Sequence, residues 1–224
     1  MIVEINGNRL NVEVIGPEGA PVLIAHHGGG GTGSLAEPKA TFGPLADRFR
    51  AMILRDTSAD GSHLELAFEY ARNQDRVEIN WDNFNRYWSG NIRDDDDLKA
   101  RWAELIPLYH YEFDPEESAK IVEAGIYRHE AHNWSTFKHN WGNYDVKPAL
   151  PRLRCPTLVT VGRRDWLTPV SSAEMIASLI PSAKLVIFEK SGHSPQIEEF
   201  ELFQQAHAGV PRRGRPPDAP TRHR

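Results

Sequence analysis

Two residues in the last third of the chain, Asp165 and His193, have the types and spacing for acid–base chemistry. An Asp that orients an imidazole, with a His that takes up and returns a proton, makes a general-base pair able to activate a hydroxyl or a water toward a carbonyl. Each follows a short apolar run. The run 157–161 ends in Gly162 and leads to Asp165, and the run 184–189 leads to Ser191, Gly192 and His193. Residues 171–179 lie between them with the spacing of a helix. Two parallel strands joined by a helix place both polar side chains just past the C-terminal strand ends, the edge of an open α/β sheet at which ligands bind.

A second candidate lies near the N-terminus. The all-apolar run Val22-Leu23-Ile24-Ala25 reads as a strand buried on both faces, and it runs directly into His26-His27-Gly28-Gly29-Gly30-Gly31-Thr32-Gly33-Ser34. No Gly-Lys-Ser/Thr follows, which excludes a nucleoside-triphosphate loop, and no clean Gly-x-Gly-x-x-Gly opens a helix, so a dinucleotide loop is poorly supported. The paired His lack an acid or Cys at ligand spacing, which argues against a metal. Two readings stay open: a flexible glycine loop, and a strand followed by His-Gly-Gly whose bare backbone N–H groups face an oxyanion. The position directly after a buried strand favours the second.

The elements that must position these residues follow from pattern. Ile2–Ile5 and residues 10–14 alternate about Asn6-Gly7-Asn8 and predict a hairpin with a tight turn. Residues 42–49 predict a short amphipathic helix and 51–54 a buried strand. From 63 to about 145 the chain is rich in Glu, Asp, Arg and aromatics, holds five of the six Trp and shows helical spacing at 64–68 and 102–108, predicting a helical insert. Asp94 to Asp97 reads as a solvated helix start with anions at the positive end of the dipole, in preference to a cation site. Asp114-Pro115-Glu116-Glu117 is a second start, with an N-cap Asp and Pro at the first helical position. The insert's aromatics predict its own core, with a ligand pocket as the less common use, and His129, His132 and His139 predict surface or pocket positions ahead of metal ligands. Pro148 and Pro151 mark the return to the sheet. Residues 197–206 predict a last helix with Ile197, Phe200, Leu202 and Phe203 on its apolar stripe. Residues 209–224 hold four Pro and five Arg without apolar periodicity and predict disorder.

Composition bounds the function. The 224 residues, 40% of them apolar, suffice for one α/β domain with an insert. A net charge of −5 gives no general case for nucleic-acid binding. The mean hydropathy of −0.52 implies polar or disordered segments. The single Cys155 excludes an internal disulfide and suits a reducing compartment. With no apolar run near the ~20 residues of a membrane span and no basic-then-apolar leader, the reading is a soluble, cytoplasmic protein with no cofactor and no membrane or nucleic-acid partner.

The order hairpin, buried strand, His-Gly-Gly loop, strand, helical insert, strand-Gly-x-x-Asp, strand-Gly-His resembles the α/β-hydrolase superfamily, in particular its proline iminopeptidase-like branch. The loop His27-Gly28-Gly29-Gly30-Gly31 stands where that branch has His-Gly-Gly-Pro-Gly, with Gly for Pro. Residues 161–169 (VGRRDWLTP) resemble its acid motif and 191–195 (SGHSP) its His motif. The resemblance covers residues 2 to 206. It implies a mostly parallel α/β sheet, Asp165 as the acid, His193 as the general base, and Gly28 and Gly29 at the oxyanion hole. It also implies hydrolysis of small peptide, amide or ester substrates by a Ser-His-Asp mechanism. The implied domains are 1–62 and 147–207 for the two parts of the core, 63–146 for a helical cap and 208–224 for the basic tail.

The chain departs from that family at one place. The nucleophile elbow, Gly-x-Ser-x-Gly, occurs nowhere in it. The helix at 42–49 meets the strand at 51–54 almost directly, where relatives interpose two strands and two helices, so the elbow unit is expected to be missing at about residues 47 to 51. The early end of the last helix and the Arg/Pro tail suggest a change of frame near Gly209. Ser34, Thr57, Ser58 and Ser62 lie past strand ends but lack the strained strand–turn–helix setting of a nucleophile, and turn or cap chemistry is expected of each. Three outcomes follow: an active hydrolase by descent, a non-catalytic member that binds a small ligand or a protein partner under the cap, or an inactive truncated product. A parallel sheet without two interior strands exposes apolar edges, so weak stability or self-association is expected.

Overall fold

The computed structural model describes residues 2–5, 8–11, 52–138 and 144–208. Strands β1 (Ile2–Ile5) and β2 (Asn8–Asn11) pair antiparallel, from Ile2 opposite Asn11 to Ile5 opposite Asn8. The second strand therefore starts two residues earlier than the alternation predicts, because this register leaves Asn6 and Gly7 alone as the connection, the commonest hairpin length. The loop at 26–34, the helix expected at 42–49 and the tail at 209–224 lie outside the described residues.

Strands β3 (Met52–Arg55), β4 (Thr157–Gly162) and β5 (Ala183–Phe188) form a parallel sheet in the order β3-β4-β5. Met52 pairs with Thr157 and Thr157 with Ala183, so the three strands start in register; β4 and β5 end together at Gly162 and Phe188, and β3 ends two residues earlier, with Arg55 opposite Thr160. All six residues of β4 are buried, which a strand flanked on both sides and covered on both faces requires. Helix α6 (Val170–Leu179) returns the chain from β4 to β5. It buries Ala173 and Ile176 against Val159 and Val161, with Ala59, Leu150 and Ile180 closing the cluster.

The stretch between β3 and β4 is helical: α1 (His63–Asn73), α2 (Trp81–Trp88), α3 (Asp95–Tyr109), α4 (Pro115–Ala124) and α5 (His129–Asn133), then a π turn at Trp134–Lys138 and a 3₁₀ turn at Lys147–Arg152. The starts read from the sequence are those observed. The Asp94 carboxylate accepts from the Asp97 N–H at 2.7 Å, and that of Asp114 from Glu116 and Glu117 at 2.8 and 3.1 Å. Asp97 differs from the solvated position expected of it. Its side chain is buried and accepts from Arg86 and Arg93, with Arg101 Nε 3.5 Å away, so the acidic run turns one member inward to hold three cations together. His132 is also fully buried, its Nε2 2.8 Å from the Tyr87 carbonyl. The helices share a core of Phe84, Tyr87, Leu98, Leu105, Leu108 and Tyr109, and Trp166, from the loop after β4, is part of it.

The last helix differs from the single amphipathic element expected. It is broken at Glu199 into α7 (Pro195–Glu198) and α8 (Phe200–Ala208). Of the predicted stripe only Phe203 is buried, while Ile197, Phe200 and Leu202 are about half exposed. The break turns the Glu198 and Glu199 side chains back toward the loop before α7, at the expense of a continuous apolar face.

Candidate active site

The site is built where β4 and β5 end. Beyond Gly162 the chain turns tightly: the Asp165 N–H donates to the Gly162 carbonyl at 3.2 Å, and the Arg163 and Arg164 N–H groups donate across to Phe188 and Ser191 at 2.8 and 3.0 Å. Acid loop and His loop are thus stitched together by backbone before any side chain is considered. Gly162 is required at this crossing. A Cβ there would lie 1.8 Å from the Gly192 carbonyl oxygen and 2.5 Å from that of Ser191.

The turn buries Asp165 and surrounds its carboxylate with donors. Oδ1 accepts from the Leu167 and Thr168 N–H groups, both at 2.9 Å, and Oδ2 from the Thr168 hydroxyl at 2.7 Å and from His193 Nδ1 at 2.9 Å. A carboxylate can only accept, so four converging donors hold it in one orientation. With Nδ1–H donated to Asp165, the basic nitrogen of His193 is Nε2, and the imidazole is 24% exposed, open enough to meet a reacting group. Burial lowers the His193 pKa, but the Asp165 charge and the hydrogen bond to it outweigh burial and leave it raised. The structure thus brings together Asp165 and His193, two of the residues singled out in the sequence.

The helical segment backs the imidazole. The His193 N–H donates to the Tyr109 carbonyl at 2.7 Å, and the Tyr109 ring meets the imidazole edge to face at 5.4 Å between centroids. Tyr109 also packs on Trp166 at 5.5 Å and on Trp102 at 4.7 Å. Trp166, fully buried beside the acid, meets Trp88 and Phe84 at 6.0 and 6.2 Å. The residue after Asp165, and the ring that backs His193, are in this way set into the aromatic core of the helices.

Residues that the sequence reading passed over complete the site. Asp56, the residue after β3, has φ 44°, in the left-handed region, a conformation that costs a non-Gly residue of order 1 kcal/mol or more. Its carboxyl is buried, and neither oxygen has a hydrogen-bond partner among the described residues. Arg55 Nη1 lies 3.6 Å away. Burial first, and the charge of Asp165 second, push its pKa up to about 8. Behind it His63 is buried at the start of α1 with Nδ1 2.8 Å from the Asp60 carbonyl, and burial lowers its pKa. Glu198 accepts from the Gly192 N–H at 2.7 Å and the Tyr111 N–H at 2.5 Å. The only sequence signal for Asp56 was its place at a strand end, and none marked Glu198.

Of the hydroxyls weighed as substitute nucleophiles, Ser58 and Ser62 are engaged in turns. The Ser58 hydroxyl donates to the Asp60 carbonyl at 2.9 Å and that of Ser62 to Asp60 Oδ1 at 2.6 Å. Asp60 also binds Lys147. Ser34 and the proposed oxyanion donors Gly28 and Gly29 lie outside the described residues. Among the described residues no group of three or more His, Cys, Asp or Glu is placed to hold a metal, and no helix is long and apolar enough to cross a membrane.

Residues 42–200 match the family model described as alpha/beta hydrolase fold. The chain is similar to the proline iminopeptidase PfmaB of Pestalotiopsis fici, 24% identical over 273 aligned positions that cover 89% of this chain and 95% of that protein. It is also similar to a proline iminopeptidase of Heyndrickxia coagulans, 45% identical over 64 residues that cover 29% of this chain and only 22% of that one. Among solved structures, an alpha/beta fold family hydrolase from Bacillus anthracis superposes with a TM-score of 0.55 at 22% identity, over 77% of this chain and 61% of its own.

Proposed function

The chain belongs to the α/β-hydrolase family, and from that premise we propose that Asp165 and His193 are the acid and general base of a hydrolytic site for small peptide, amide or ester substrates, and that turnover in this chain is impaired because the serine they would serve is absent. The observation that carries the reading is the 2.9 Å bond from His193 Nδ1 to an Asp165 carboxylate held by three further donors. With a serine present, Nε2 would take its proton as the hydroxyl attacks the carbonyl and return it to the leaving group, while Asp165 stabilises the imidazolium. The backbone N–H groups of Gly28 and Gly29 are assigned to the developing oxyanion. One of its usual donors belongs to the residue after the nucleophile, and losing one donor typically costs ~2.7–4 kcal/mol in the transition state. Residues 63–146 are the cap over this site.

Two observations support the absence of the elbow. No Gly-x-Ser-x-Gly occurs in the sequence. In the alignment with the Pestalotiopsis protein, 89% of these 224 residues are taken up in 273 positions, so dozens of positions of that relative face no residue here. An Asp–His pair kept intact without a nucleophile also favours a second reading, a non-catalytic member that binds a small ligand or a partner protein under the cap. Labelling the purified protein with a fluorophosphonate probe, and assaying proline naphthylamide and nitrophenyl esters, tests the proposal. No adduct and no release are expected. A stoichiometric adduct on any serine overturns the impairment.

A further inference from the structure

The loop that presents His193, residues 189–194, has no regular structure of its own, yet each of its backbone N–H groups from Lys190 to His193 has a defined acceptor. Lys190 N–H and the Ser191 hydroxyl donate to Glu199 Oε2 at 2.9 and 2.7 Å. The Ser191 N–H turns back on Phe188 at 3.4 Å, and the His193 N–H donates to Tyr109 at 2.7 Å. Gly192 N–H donates to Glu198 Oε2 at 2.7 Å. The other oxygen of Glu198 accepts the Tyr111 N–H at 2.5 Å. Tyr111 is two residues beyond Tyr109, whose carbonyl and ring both contact His193. One carboxylate therefore joins the loop that carries the base to the end of α3 that backs it. Close approach of the two is built in, since a Cβ on Gly192 would lie 2.3 Å from the Tyr109 carbonyl oxygen.

We propose that Glu198 is a positioning residue for His193: it ties Gly192 and Tyr111 together, and so fixes the imidazole between Asp165 and Tyr109. This rests on the reading of Asp165 and His193 as an acid–base pair. The geometry suits a carboxylate and no other side chain. Two backbone donors approach from two segments, and each needs an acceptor oxygen. A Gln offers one oxygen and turns an NH₂ group toward the second donor. An Asp, one methylene shorter, keeps both oxygens but not the reach. Burial raises the Glu198 pKa even though the Gly192, Tyr111 and Glu112 N–H groups pull it down, so the fold carries this carboxylate against a desolvation cost.

The test reads the imidazole directly. The His193 Cε1–H resonance of the full chain, assigned by its loss in His193→Gln, is titrated in wild type, Asp165→Asn, Glu198→Gln and Glu198→Asp. Asp165→Asn is expected to lower the His193 midpoint by about one pH unit or more, the size of a lost adjacent charge. Glu198→Gln is expected to shift it in the same direction by on the order of half a unit, because a displaced imidazole sits farther from Asp165. Glu198→Asp should fall between Gln and wild type. A Glu198→Gln midpoint equal to wild type, while Asp165→Asn shifts, overturns the positioning role and leaves the acid–base pair intact. No shift in Asp165→Asn overturns the pair itself. If Glu198→Gln fails to fold, a folded Glu198→Asp with the wild-type midpoint makes Glu198 a structural residue and overturns the proposal.

Discussion

Two buried carboxyls at the ends of adjacent strands differ in the donors that surround them. Asp165 has four, whereas neither Asp56 oxygen has a donor in good hydrogen-bond geometry among the described residues, and the Arg55 guanidinium lies 3.6 Å away. Burial and the Asp165 charge therefore raise the Asp56 pKa from 3.8 to about 8. The folded protein then binds one more proton than the unfolded chain between those values, so stability falls as pH rises through this window, by up to about 1.4 kcal/mol per pH unit from this group, and levels off above it. Asp56→Asn keeps the shape without the ionisation. Denaturant unfolding measured from pH 5 to 8 should give a flatter stability profile for this variant than for wild type, with the largest gain in stability at pH 8. An unchanged slope would show that Asp56 does not titrate in this window. At this scale the Asp165–His193 pair was legible in sequence, because a strand followed by Gly-x-x-Asp, and one followed by Gly-His, are local patterns. Asp56 and Glu198 were not. An Asp after a strand reads as turn chemistry, and Glu198-Glu199 reads as an exposed helical pair until the fold brings Tyr111, 87 residues away, onto it.

The elements were legible where capping and periodicity are strong. Asp94 and Asp114 cap α3 and α4 as read, and β4 and β5 lie within a residue of their expected bounds. The last helix was misread because two glutamates on it bind the loop behind them, a demand that periodicity does not record. The junction of β4 with the His loop is the least forgiving of these elements. Gly162→Ala places a methyl against the Gly192 and Ser191 carbonyls, and backbone cannot move aside as the end of a side chain can. A loss of about 2–3 kcal/mol in denaturant unfolding is expected. Leu179→Ala, at the C-terminal end of α6 and packed on the sheet-side cluster, gives a control for general destabilisation. The His193 midpoint should move in Gly162→Ala and stay in the control.

At the scale of the whole molecule, the described residues divide between two cores, one between α6 and the sheet and one among the helices. The three-stranded sheet is small, and β3 pairs on one side only among the described residues. Exposed apolar groups on α7 and α8 add to this, with Ile197, Phe200 and Leu202 about half in solvent. Exposed hydrophobes of this kind favour association. Light scattering across a concentration series should show a mass that rises with concentration; a constant mass of 25.3 kDa would refute this. The fold class was legible from the order of strands and helices. The allocation of Trp166 to the helical core was not, because its neighbours there come from residues 84, 88 and 109.

That allocation has a consequence for how the protein opens. The carboxylate of Asp165 is held by its own turn and by His193, but the next residue, Trp166, is buried among the helices. Loosening of the helices is therefore expected to disturb the turn around Asp165 before it opens β4 or α6, and amide exchange at Leu167 and Thr168 faster than in β4 would show it.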